Sequence, residues 1–205
     1  MSRKSSDTVG LIVAKGYTII ELMLAMLLAS FLSIVLVMSY AAIQKRFQLV
    51  MTLSMMQDDA QFLIGFLRGK INHAGDVSCV KSNPLPIVQV FTKDTIPSTL
   101  KTKLTSLSDV LVLGSCETNQ GKKEFVQTAY YVTTTSWQDN GQSVLAFFAK
   151  PLDSSRQEIV SHVVDFKLRV VAEGNAITGI GYDIRLQTNN KISRTWTGFA
   201  AVHDE

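Results

Sequence analysis

Three residues near the start of the chain have types and spacing that could do chemistry. They are Gly16, Tyr17 and Glu21, in the stretch Lys15-Gly16-Tyr17-Thr18-Ile19-Ile20-Glu21. Gly16 is a small residue suited to a cut point, and it lies in front of a long apolar run. A secretory signal is cut behind its apolar segment, which is then lost. A cut after Gly16 would instead keep that segment and make Tyr17 the new N-terminus. The Tyr17 α-amine would then lie four residues from the Glu21 carboxylate, at the positive end of a helix dipole. From Leu22 to Ile43 no side chain is charged. That is about 22 residues, or about 33 Å at ~1.5 Å per residue, enough to cross a bilayer core. A carboxylate at the head of such a run is unfavourable by a few kcal/mol on an isolated helix, so it normally has a partner. The freed amine would be one. An ordinary single-pass anchor with one tolerated acid near its end is the alternative reading of the same residues.

The element that must position these groups is a helix. No Gly or Pro occurs between Tyr17 and Ile64. Beyond Lys45-Arg46, Leu49, Leu53, Met56, Ala60, Leu63, Leu67 and Ile71 recur at spacings of four and three, which is one helical stripe. The spacing predicts a single helix from about Thr18 to Asn72, stopped by Ala74-Gly75. After Gly75 the pattern changes to strands: Ile87–Phe91, Asp109–Leu113, Glu124–Val132 and Val144–Ala149. Asp139-Asn140-Gly141 supplies a hairpin signal between the last two. Residues 92–108, with Pro97 and many Ser, Thr and Lys, read as a loop. Later, Val164, Phe166, Leu168 and Val170 alternate with Asp165, Lys167 and Arg169. Beyond Gly174-Asn175, Ile180, Tyr182, Ile184 and Leu186 alternate with Gly181, Asp183, Arg185 and Gln187. Asn189-Asn190 then leads into Ser193–Val202. Period-two alternation with turn residues at both joints reads as a three-stranded antiparallel meander. Its apolar face needs a cover, and the stripe on the second half of the helix supplies one. The expected class is α+β, a long N-terminal helix packed on an antiparallel sheet.

With 205 residues and a net charge of +3, the chain has room for one modest domain beyond an anchor. Residues 1–16 hold Arg3, Lys4 and Lys15 against Asp7, so without them the balance is close to neutral. That excludes a large electrostatic footprint for nucleic acid, and no direct nucleic-acid binding is expected. The leader's cations fit a cytoplasmic N-terminus, although Lys45 and Arg46 weaken the contrast. Cys79 and Cys116 fall in the domain beyond the helix. If that domain is outside the cell membrane they face an oxidising compartment and are expected to pair. The three histidines (His73, His162 and His203) show no ligand spacing, so no metal or cofactor is expected. No Gly-x-Ser-x-Gly elbow, His-Glu-x-x-His or phosphate-cradling loop is present, and no enzymatic activity is expected. His162 with Asp165 or Ser161 reads as a partly exposed strand histidine, and Tyr130, Tyr131 and Trp137 as strand packing.

The stretch from Lys15 to Glu21 closely resembles the type IV prepilin signal: a basic leader ending in Gly, an aromatic first mature residue, then Thr, two apolar residues and Glu. The leader is less polar than such leaders usually are, with Val9, Leu11, Ile12, Val13 and Ala14. The long helix on an antiparallel sheet is also the pilin architecture. Met38 stands where major pilins usually have Pro, and the cysteine pair is early. The helix end from Met56 to Arg68, then Ile71-Asn72-His73-Ala74-Gly75 and Cys79, is similar to PilW-type minor pilins. So is the strand Val163-Val164-Asp165-Phe166-Lys167-Leu168-Arg169.

This resemblance implies a leader over 1–16, a transmembrane and filament-core half-helix over 17–44, and a periplasmic domain over 45–205. It implies cleavage by prepilin peptidase between Gly16 and Tyr17, N-methylation of Tyr17, and docking through Glu21 to a neighbouring subunit's amine. The expected partners are that peptidase, other minor pilins and the major pilin, the inner membrane and the pilus assembly platform. The chain would pass from the inner membrane to the pilus, near its tip, priming assembly for adhesion, twitching motility or DNA uptake. A J-type pseudopilin of type II secretion shares the signal, helix and sheet. A membrane-tethered enzyme or receptor would keep its anchor uncut. A DNA-binding minor pilin would need a basic groove, such as one around Lys101 and Lys103.

Overall fold

The computed structural model describes residues 18–74, 78–79, 87–119, 121–139, 141–173, 176–188 and 192–202. Its first element is one helix, α1 (Ile19–Asn72), 54 residues long. No Pro interrupts it, and its two glycines, Gly65 and Gly69, come only near its end, where the buried stripe continues through Leu67 and Ile71. At its end Lys70 sits in the last turn, and the His73 and Ala74 N–H groups donate to the Gly69 and Ile71 carbonyls, both at 3.1 Å. The expected stop residue Gly75 lies outside the described residues.

The chain divides into two compact units, Met1–Met51 and Thr52–Glu205. In the first, the described part is helix alone, and its apolar side chains are exposed: Ile19 by 79%, Leu36 by 69%. By length and composition this helix can cross a membrane. In the second unit the predicted stripe is buried at Met56, Ala60, Leu63, Leu67 and Ile71. At ~1.5–3 kcal/mol per fully buried large apolar side chain, this face is what holds the helix to its domain.

The strands are β1 (Val88–Phe91), β2 (Val110–Asn119), β3 (Lys122–Asp139), β4 (Gln142–Pro151), β5 (Gln157–Ser161), β6 (Val163–Glu173), β7 (Ala176–Gln187) and β8 (Ser193–Ala201). The first five form one antiparallel sheet in sequential order, and β6-β7-β8 form the expected meander. Asn119 pairs with Lys122 and Asp139 with Gln142, so two residues join each hairpin. Gly121 and Gly141 take φ of 81° and 76° there, a region costly for any residue with a Cβ.

One apolar cluster joins α1 to both sheets. It includes Leu63, Leu67 and Ile71 from the helix, Leu111, Val132 and Phe147 from the first sheet, and Phe166, Ile180 and Ile184 from the second. Tyr182 anchors the contact: its hydroxyl donates to the Ile64 carbonyl at 3.2 Å, and its ring lies against Gly198. The two sheets are also stitched by Asp109. Its carboxylate accepts the Lys93 N–H at 3.0 Å and the β6 Leu168 N–H at 2.9 Å, and its own N–H donates to the Phe166 carbonyl at 3.2 Å.

Residues 92–108 differ from the loop expected of them. They contain a short helix, α2 (Ser98–Leu104). Leu100 and Leu104 stand four apart and cover the second face of the larger sheet with Tyr131 and Phe148. The strand β5 carries only Ile159 and Val160 as apolar residues, too few to give a period-two signal. His162 is not in a strand; it occupies the bend between β5 and β6 with φ of 63°.

Candidate assembly site

The start of α1 is held by Thr18 and Glu21. The Thr18 N–H donates to Glu21 Oε2 at 3.0 Å and the Thr18 hydroxyl to the same oxygen at 3.1 Å. In return the Glu21 N–H donates to Thr18 Oγ1 at 3.3 Å. This reciprocal arrangement is a capping box, in which Thr at the cap and Glu three residues later satisfy each other's otherwise orphaned N–H groups. It also turns the carboxylate back toward the chain's N-terminal side, where negative charge is favoured by the helix dipole. The Thr-x-x-Glu spacing of such a box stands in the sequence, and the hydrogen bonds show that Thr18 orients the Glu21 carboxylate. Gly16 and Tyr17, the predicted cleavage and methylation positions, lie outside the described residues.

Cys79 and Cys116 form a disulfide, with Cα atoms 5.9 Å apart across 37 residues. It ties the segment after α1 to β2, and the Cys79 N–H donates to Cys116 Sγ at 3.1 Å. Closing a loop of this length is worth ~3–4 kcal/mol in the chain-entropy account. Urea unfolding of the detergent-solubilised chain should therefore shift to lower midpoint with reductant. Superposed curves with and without reductant would remove the bridge as a stabiliser.

The other sequence candidates are not brought together. Asp165 pairs with Arg185 at 3.5 Å and Lys167 at 3.9 Å. Among the described residues no hydrogen bond links His162 to Asp165 or Ser161; the His162 ring meets Trp137 edge-on, centroids 6.1 Å apart. Tyr130 and Tyr131 are buried strand residues and Trp137 is half-exposed. Lys101 and Lys103 both sit on α2, where the Lys150 ammonium donates to the Lys103 carbonyl at 2.9 Å.

A cleft of about 610 Å³ lies beside the bend, with Met55, Met56 and Leu186 on its walls and Asp58, Asp59 and His162 on its polar side. Burial pushes the Asp59 carboxyl above the usual carboxylate range, partly offset by His162. Raising a folded-state carboxyl pKa favours the fold at acid pH and costs stability as pH rises through that value.

No protein family, curated protein or solved structure matches the chain.

Proposed function

We propose that this chain is a minor pilin of a type IV pilus, inserted with its leader in the cytoplasm and its domain outside. The observation that carries the reading is a spanning-length apolar helix, opened by the Thr18–Glu21 cap, whose second half is buried against antiparallel sheets. The disulfide fits an extracytoplasmic location for that domain.

Prepilin peptidase removes residues 1–16 and methylates the Tyr17 amine; the catalytic groups belong to the peptidase. In the membrane the helix satisfies its own backbone, and lipid solvates Ile19 to Ile43. On assembly these side chains trade lipid for neighbouring helices. Little apolar free energy is gained in that exchange, so packing and charge pairing set the register. The Glu21 carboxylate, held at the helix start by Thr18, is the group a neighbouring subunit's amine meets. Platform proteins, sister minor pilins and the major pilin are the partners, and the subunit primes polymerisation near the tip.

The test is at the cut. Replacing Gly16 with Leu should leave a membrane-bound precursor about 16 residues larger than the wild-type product, because the peptidase needs a small residue there. N-terminal sequencing of the wild type should read methylated Tyr17. A wild-type protein that begins at Met1 in cells with active peptidase rules the reading out.

A further inference from the structure

The two sheets have four edge strands: β1, β5, β6 and β8. An edge strand carries a row of unpaired N–H and C=O groups, which proteins blunt by shortness, bulges, charge or cover. Three of these edges are blunted. β1 has only four residues. β5 has five, pairs through a bulge and carries Glu158. β6 is covered in part by Asp109, which bonds to the Phe166 carbonyl and the Leu168 N–H. β8 has none of these devices. It runs nine residues, Ser193–Ala201, in unbroken register with β7. It holds no Pro, no Lys and a single charge, Arg194.

Bonds at its two ends fix which of its groups are free. The Val202 N–H donates to the Thr178 carbonyl at 3.0 Å, and the Thr188 N–H to the Ile192 carbonyl at 2.9 Å. Bonded and non-bonded positions alternate along an antiparallel ladder, so the even-numbered residues of β8 bond to β7. The N–H and C=O groups of Ser193, Thr195, Thr197, Phe199 and Ala201 therefore point away from β7. Among the described residues no other strand takes them up.

An extended strand matches such a row, and β8 is complementary to itself. Set two copies antiparallel with Thr197 opposite Thr197. Thr195 then faces Phe199, and Ser193 faces Ala201. All five outward residues fall at bonded positions, which gives about ten hydrogen bonds, as many as a standard interface carries. No other centre uses all five. On the outer face the half-exposed Phe199 gains a Thr neighbour. Thr–Thr and aromatic–β-branched pairs both favour such a ladder. On the other face Trp196 stands opposite Gly198, which has no side chain to oppose the indole, and Arg194 stands opposite Ala200, so no like charges meet. We propose that β8 is a self-docking edge: a second copy of this chain pairs with it antiparallel about Thr197, joining two meanders into one six-stranded sheet. The proposal goes beyond the filament reading and does not rest on it.

The test uses the full-length chain in membranes. Thr197→Cys places two thiols about the two-fold axis at a Cα separation of ~5.5 Å, inside the disulfide range of ~4.4–6.8 Å. Oxidation with copper phenanthroline should give a linked dimer that reductant dissolves. Thr195→Cys alone should give at most a tenth as much, because each Thr195 faces Phe199 of the other copy. Differently tagged Thr195→Cys and Phe199→Cys chains, expressed together, should link to one another. Thr195→Pro in the Thr197→Cys chain removes an outward N–H and leaves the β7 ladder in place, so it should lower the dimer at least ten-fold at an unchanged melting temperature. If the proline variant melts lower, the mixed Thr195→Cys and Phe199→Cys link decides by itself. Equal linking at 195 and 197, a dimer indifferent to proline, a missing mixed link, or Thr197→Cys joined solely to a different protein would each overturn the proposal.

Discussion

Glu21→Gln should be cleaved, inserted and folded like the wild type, yet be absent from sheared filaments or reduced at least ten-fold. Two roles meet in the Glu21 carboxylate: it caps α1 through Thr18, and we propose that it receives a neighbour's amine. Gln serves in a capping box nearly as well as Glu, so the first role survives the substitution. The negative charge does not, and the second role goes with it. Thr18→Ala is the converse: it removes the hydroxyl of the cap at a cost of about 1 kcal/mol and leaves the charge. That variant should assemble. If Glu21→Gln reaches filaments at wild-type level while Thr18→Ala does not, the residue is a helix cap and nothing more. Quantitative immunoblots of the sheared and membrane fractions decide it.

The second large effect lies in the core. A Cβ built on Gly198 would fall among the ring atoms of Tyr182, which is fully buried and tethered to Ile64 by its hydroxyl. The ring has nowhere to swing without leaving the helix. Gly198→Ala should therefore cost about 3 kcal/mol, from overpacking and the lost hydroxyl contact together. For a chain of this size that is a fall of roughly 6–12 °C in Tm, readable by circular dichroism of the solubilised protein. Gly181, on the neighbouring strand, is the control. Its Cβ would meet nothing closer than 3.7 Å, so Gly181→Ala should be neutral or slightly stabilising. Equal Tm values for the two variants would show that the Tyr182 ring is not fixed as described.

Much of this structure was legible in the residues. The helix bounds, the stripe from Met56 to Ile71 and the meander follow from period and from the absence of Pro, which are local signals. The hairpin at Asp139-Asn140-Gly141 follows from turn chemistry in the same way. What escaped was decided at long range. The helix α2 was hidden by Pro97 and a Ser/Thr/Lys-rich composition, and only the far face of the larger sheet gives Leu100 and Leu104 a reason to be helical. The strand β5 is recruited by pairing with β4, not by its own pattern. The stripe's upper end was read too generously: Leu49 remains 44% exposed. Of the candidate site, the cysteine pairing was legible in the sequence, while the capping of Glu21 by Thr18 needed its hydrogen bonds.

Asp109 leaves a mechanical consequence. One carboxylate draws main-chain donors from the segment after β1 and from β6, while Tyr182 couples β7 to the C-terminal part of the helix. Separating either sheet from the buried stretch of α1 therefore breaks the shared apolar cluster, and parting the two sheets breaks the Asp109 bonds as well. Under load such a domain is expected to give way as one body.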